Sequence, residues 1–321
     1  MLATQDQEFV FRVGGHEPRL RVAQGEAFSV FTEDCFSGRL TSVDGEPRKV
    51  APYPRVNPLT GPIHVEGVSA GDIVAIRLIS LTPAREWGVA TISPDFGLLS
   101  GTRVSPNLQE PQDEHVWIWR FTANGKALET PTKDGRTLRV PYRPFHGTLG
   151  VAPAHGEVRL AVAPGDFGGN LDIPDLGPGA TLYLRANVDG AHVYVGDGHY
   201  AQGDGEIAGT AIEGAFNTTL MCERVEMDDA FDWPRFENDD IIGVIGCARP
   251  LDDACRIAVA GMIRWAARRT GLSMHDAHQL VTQCCRLRIG NLVNPLFSVM
   301  CSMDKRNMAA NDLTLRSLGE L

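Results

Sequence analysis

At 321 residues the chain is long enough to bury a sizeable core as one large domain or two, and its 43% hydrophobic content is that of an ordinary globular protein. The 40 acidic residues outnumber the 30 basic ones, leaving a net charge of -10 without any basic run, which excludes nucleic acid as a partner. The longest apolar run, residues 73–81, is broken by Arg77, and the first ten residues are polar where a secretory signal is greasy, so a cytoplasmic protein that crosses no membrane is expected.

Up to about residue 250 the chain consists of short apolar runs of period two, punctuated by Gly, Pro and Asp. EFVFRV, EAFSVF, DIVAIRLI, HVWIWRF, EVRLAVA, TLYLRANV and HVYVG all read as strands. With 34 Gly and 20 Pro, this predicts a mainly β fold, sandwich-like or barrel-like, whose loops are long enough to carry a site. An internal repeat runs through it. Residues 61–77 align without gaps on residues 169–185, matching Gly61 with Gly169, Gly71 with Gly179, Val74 with Leu182 and Arg77 with Arg185. Both copies read as strand, tight turn, strand, and RVAQGEAFSVF is a weaker third copy of the turn and second strand. In this alignment His64 falls opposite Asp172.

The period changes at Asp252. Cys255, Ala258, Val259, Met262 and Ala266 recur at helical spacing behind two aspartates that can cap, and Gly271 stops the run. A second helix starts at Ser273, where SMHD resembles a capping box, and buries Ala277, Leu280, Val281 and Cys284. CRLRIGNLVNPLFSVMCSM then returns to strand-like alternation. The expectation is one domain over 1–321, α+β overall: a β-rich body over 1–250, a helical hairpin excursion over 251–290, and a returning strand with its tail over 291–321.

Candidate chemistry concentrates in GDGHYAQGDGEIAGTAIE, residues 196–213. Asp197 and His199 are two apart, so an extended backbone aims both side chains the same way, at metal-ligand spacing. Asp204, Glu206 and Glu213 add oxygen ligands or a general base. The alternative is an acidic surface turn with a solvated histidine. A nucleotide-binding loop is excluded, because the glycine spacing is wrong and the acids repel phosphate.

GGNLD offers Asn170 and Asp172, again two apart, or else an ordinary turn. Glu33 and Asp34 follow a strand-like run, where a carboxylate can project into a site. His146 sits in a Gly- and Pro-rich stretch, and Trp117 and Trp119 share one strand face that suits core packing. The seven cysteines show no C-x-x-C spacing and read as reduced thiols. Among them Cys35, with no paired histidine in view, reads as a small buried hydrophobe rather than a nucleophile.

Together, NPLTGPIHVEGVSAGDIVAIRL from Asn57, HGTLGVAP from His146, GGNLD, the long glycine–acid stretch and the hairpin leading into RIGNLVNP resemble the acetamidase/formamidase family of metal-dependent amide hydrolases. The resemblance implies hydrolysis of a small carboxamide to carboxylate and ammonia on a mainly β fold, in a homo-oligomer. It carries the family motif onto Asp197, His199, Gln202, Asp204, Glu206, Asn170, Asp172 and Asp34. Three departures stand out: Tyr200 where a small residue is expected, a looser match at DCFSGRL, and His64 where the family carries an aromatic. They bear on substrate size.

The chemistry of these side chains suggests one divalent cation, zinc before manganese or calcium, held by His199 with Asp34, Asp172 and Asp197. Such an ion lowers the pKa of water from about 15.7 towards about 7. Glu206 is then the general base and Gln202 orients the amide, with Asn170, Asp204, His146, Tyr200 and Glu213 around them. The rival readings are an amidase with a cysteine nucleophile and a noncatalytic β protein stabilised by metal.

Overall fold

A computed structural model describes residues 8–94, 96–99, 112–227 and 231–309; the polar start, residues 1–7, and the end of the tail, 310–321, lie outside the described residues. The alternating run at Ile73 forms the strand Ile73–Pro83, which buries Val74, Ile76 and Leu78 completely. It belongs to an antiparallel sheet of eight strands. In spatial order these are Cys285–Asn291, Phe297–Asp304, Ile241–Ala248, Arg235–Glu237, Thr181–Arg185, Ile73–Pro83, Phe216–Val225 and Ala27–Thr32. An eleven-stranded sheet carries, side by side, Gly168–Asn170, Phe145–Gly150, Val193–Ala201, Ile212–Glu213, Trp87–Ile92 and His115–Phe121. One apolar cluster draws Val74, Ile76 and Leu182 from the first sheet and Leu149, Val193 and Val195 from the second. The architecture is therefore mainly β and sandwich-like, built on open antiparallel sheets and not on a closed barrel.

The repeat has a spatial counterpart. Its second strands, Ile73–Pro83 and Thr181–Arg185, pair directly with each other, Ile76 opposite Leu182 and Val74 opposite Leu184. The turn glycines take φ of 99° at Gly71 and 89° at Gly179, the left-handed region that glycine adopts without strain. Gly71 N–H donates to Ala186 O, and at the equivalent position Gly179 N–H donates to Leu78 O. The first strands, Leu59–Val65 and Gly168–Asn170, flank the central pair formed by Phe145–Gly150 and Val193–Ala201. A local pseudo-twofold thus places that central pair between the two copies.

Two helices interrupt the β pattern. Leu251–Thr270 begins after Pro250 without a side-chain cap; Asp252 and Asp253 occupy its first turn, where they favour the helix dipole, and pair with Arg256. It buries Ala254, Ala258, Met262, Trp265 and Ala266, and Gly271 closes it at φ 76°. Met274–Cys284 is capped by Ser273, whose side chain accepts from Asp276 N–H. The returning strand starts at Cys285, inside the span assigned above to the helical excursion, and pairs with Phe297–Asp304. The expected strand over EVRLAVA shrinks to Arg159–Leu160, confined between the turn Ala154–Gly156 and Pro164, which has no N–H to pair. Among the described residues no helix is long and apolar enough to cross a membrane.

Candidate active site

The strand Val193–Ala201 carries the first half of the acidic stretch and is buried almost throughout. It pairs with Phe145–Gly150 through His146 opposite Gly198 and Thr148 opposite Gly196, leaving Gly147 and Asp197 as the interruption between these pairs. There Asp197 adopts φ 55°; Asp172 sits at φ 52° and Glu206 at φ 48°. Three acidic residues in the left-handed region at one place are a local strain that surrounding structure must hold, a pattern typical of functional sites. Gly147 faces them. A Cβ there would lie 2.5 Å from both Asp172 Oδ1 and Asp197 Oδ2, and 2.8 Å from His199 Cε1, so the close approach of these side chains requires glycine.

Four carboxylates and one imidazole converge. His199 Nε2 lies 3.4 Å from Glu213, 3.5 Å from Asp197 and 3.9 Å from Glu206. Asp172 joins from the turn after Gly168–Asn170, its Oδ2 accepting from Asn170 at 2.7 Å and Asn294 at 2.8 Å. Asn170 is itself fixed, its Oδ1 accepting from Asn57 at 3.0 Å and Thr148 at 2.5 Å. All five converging residues are buried, and among the described residues no lysine or arginine pairs with the four acids.

Burial raises the carboxyls of Asp172, Glu206 and Glu213 above their ordinary values, and neighbouring charge adds to it: Asp197 acts on Asp172 and Glu213, and Asp172 acts on Glu206. Burial lowers His199, but Glu213 and Asp197 outweigh it and the imidazole ends well above its usual value. Among the described residues, both His199 nitrogens, Asp172 Oδ1 and Glu213 Oε2 are buried without a hydrogen-bond partner. Ligand atoms of Asp172, His199 and Glu206 lie within 4.8 Å of one another, as do those of Cys35, Asp197 and Glu213. Unpaired, excess-negative oxygen and nitrogen donors at this spacing fit a divalent cation, which would satisfy the orphaned atoms and reverse the upward shifts of the carboxyls.

Several residues singled out by sequence lie elsewhere. Asp34 is not in the ligand cluster: its Oδ1 accepts from the Phe36 and Gly38 amides and its Oδ2 from Arg85, which also grips Glu33. Burial and the Glu33 charge hold the Asp34 carboxyl near pH 7, against those hydrogen bonds. The next residue, Cys35, faces the cavity instead. Gln202 donates to the carbonyls of Asp172 and Gly290, so its amide N–H groups brace backbone rather than meet a ligand.

Asp204 is half exposed and pairs with Arg288 at 3.2 Å, outside the cluster. Tyr200 is adjacent in sequence to His199, and alternation turns it to the opposite face, where it packs on Phe121, Tyr142 and Phe216 and donates to Ala215 O. It therefore does not narrow the cavity. His146 lies in a strand, not a loop; its Nδ1–H donates to Gly196 O and its Nε2 accepts from the Thr218 hydroxyl, leaving no free nitrogen for a ligand. His64 stacks near His192 at 5.8 Å, away from the cluster.

Three of the five, Asp197, Glu206 and Glu213, line a cavity of about 710 Å³ together with Cys35, Asn170 and Asn294. Asn57, Gly147 and Asn294 were not assigned roles from sequence, although all three stand inside the quoted segments NPLTG, HGTLG and RIGNLVNP. An asparagine or glycine near Pro and Gly has a sufficient explanation in turn chemistry, which hides a second role.

A family model described as Acetamidase/Formamidase family matches residues 15–159 and 155–230. An acetamidase from Yersinia enterocolitica has 35% identity and a TM-score of 0.85, covering 94% of this chain and 90% of that one. An acetamidase from Bacillus halodurans has 30% identity and a TM-score of 0.84, covering 96% and 98%. A formamidase of Methylophilus methylotrophus is 25% identical over 229 residues, 58% of this chain and 56% of that protein. The chain spans less than two thirds of the length of the curated relatives it matches.

Proposed function

The chain belongs to the acetamidase/formamidase family, and on that premise we propose that its buried cluster hydrolyses a small carboxamide to a carboxylate and ammonia with a divalent cation in place. The observation that carries this reading is the convergence of Asp172, Asp197, His199, Glu206 and Glu213 beside a cavity that Asp197, Glu206 and Glu213 line, with atoms of Asp172, His199 and Glu213 unpartnered among the described residues. Asp172, Asp197 and His199 would hold the cation, zinc first and manganese or calcium after it. When bound, it supplies Lewis acidity towards the amide carbonyl and makes water easier to deprotonate at neutral pH.

The chain's own residues do the rest. Asn170 and Asn294 hold Asp172 Oδ2 and so leave Oδ1 pointing to the cluster. Glu206, on the loop above the strand, takes a proton from the attacking water and returns it to the departing nitrogen, so that water and amide become carboxylate and ammonium. Glu213 is fixed by the Ala211 amide and orients His199. The homo-oligomer implied by the family resemblance, and the cytoplasmic location expected from the reduced cysteines, are part of the same proposal.

A cysteine nucleophile is disfavoured, because burial and the charges of Glu213 and Asp197 push the Cys35 thiol well above its ordinary value. The test is ammonia release from formamide, acetamide and longer amides, with and without chelator, alongside elemental analysis. Activity is expected to vanish with chelator and to fall by at least about 100-fold in His199→Ala and Glu206→Ala, with metal lost in the first. Near wild-type turnover in both variants, with metal content unchanged in His199→Ala, would overturn the site.

A further inference from the structure

We propose that Cys35, Asp197 and Glu213 form a second divalent-cation subsite beside the site at His199, with Asp197 common to both; the inference rests on the metal reading above. The Sγ of Cys35 and one carboxylate oxygen from each acid lie within 4.8 Å of one another, and all three residues are buried. That spacing alone would be an acidic cluster beside a cysteine.

What points it at a ligand is Glu213. Its Oε1 accepts from Ala211 N–H at 2.8 Å, while its Oε2 is buried with no hydrogen-bond partner among the described residues, in a residue only 1% exposed. A carboxylate oxygen in that condition carries a desolvation cost that an ion would relieve.

Shared ligation follows from the layout. Asp197 and Glu213 both approach His199 Nε2, at 3.5 and 3.4 Å, and both belong to the group containing Cys35. Asp197 is therefore within reach of both proposed sites, and Glu213 lies beside the imidazole as well as in the group containing the thiol. The presenting loop is rigid: Asn57 N–H donates to Cys35 O, and Asp34 is locked by the Phe36 and Gly38 amides.

A sulfur ligand among carboxylates selects a borderline-soft ion of the zinc or cobalt kind over calcium or magnesium.

The experiment strips the full-length protein with chelator, reloads it with cobalt(II), and reads elemental stoichiometry together with the near-ultraviolet sulfur-to-cobalt charge-transfer band. Wild type is expected to hold two cobalt ions per chain and show the band; Cys35→Ala and Cys35→Ser are expected to hold one and lack it, with unchanged circular dichroism. One ion without the band in wild type, or two ions in Cys35→Ala, overturns the proposal, and the wild-type spectrum decides should the variants fail to fold. A single ion lost only on His199→Ala keeps the first site and removes the second, whereas no cobalt uptake at all removes both.

Discussion

Replacing Gly147 by alanine places a methyl group between the side chains that define the site. The new Cβ would stand 2.5 Å from Asp172 Oδ1 and from Asp197 Oδ2, 0.9 Å short of the 3.4 Å at which ordinary contact begins. Gly147 is absent from the positive-φ residues, so the backbone itself accepts alanine and the clash is the whole perturbation. Asp172 cannot simply rotate away, because its Oδ2 is held by Asn170 and Asn294 and each of those hydrogen bonds is worth about 1 kcal/mol. Overpacking of this kind costs about 1–3 kcal/mol of stability, while displacing catalytic groups by about 1 Å costs about 100-fold in rate. The expected outcome is a folded protein, with a melting temperature a few degrees lower, whose kcat/KM for amide hydrolysis falls about 100-fold and whose metal content drops. Ammonia release, thermal melting and elemental analysis on one preparation measure all three. A folded Gly147→Ala protein with full activity and full metal would show that the reacting centre lies elsewhere.

Three further outcomes are expected. Burial holds His146 neutral down to about pH 4 against an ordinary value of 6.5, so the unfolded chain takes up its proton first. The resulting stability is complete above pH 6.5 and is lost as pH falls towards 4, at about 1.4 kcal/mol per pH unit and about 3 kcal/mol in all. Denaturant midpoints between pH 7 and 4 should fall less steeply in His146→Gln, and an identical slope refutes the assignment. Arg85→Met leaves Glu33 and Asp34 buried without their cation and should destabilise by about 3–5 kcal/mol in urea unfolding; a change under about 1 kcal/mol would mean the clamp is idle. Tyr200→Phe, which removes a bond to Ala215 O on the far face, should cost about 1 kcal/mol with KM for small amides unchanged, as should Asp204→Asn without the stability cost. A large KM change in either would restore that residue to the cavity.

Much of the fold was legible because its signals are local. Period-two runs, turn glycines and the change of period at Asp252 located the strands and both helices, and the repeat at 61–77 and 169–185 marked two strand–turn–strand units whose second strands the structure pairs with each other. Parity along an extended strand also brings Asp197 and His199 together and turns Tyr200 away, although the turn at Tyr200 was not drawn from the sequence. Asp34 misled for a different reason. A carboxylate at a strand end looks alike whether it meets a ligand or an arginine, and its partner Arg85 is 51 residues away.

By itself, then, the chain determined its β body, its helical hairpin, its family and the segment in which the candidate site residues concentrate, since each is written in residue type at short spacing. Only the tertiary structure decided which acids share one dry space. Asp172, His199, Glu206 and Glu213 meet there with Asn294, 122 residues beyond Asp172, and with Cys35 from the far end of the chain. Burial and, among the described residues, the absence of a paired lysine or arginine are properties of that assembled space and not of any segment. They turn a stretch that would be a solvated acidic turn on the surface into a candidate metal centre.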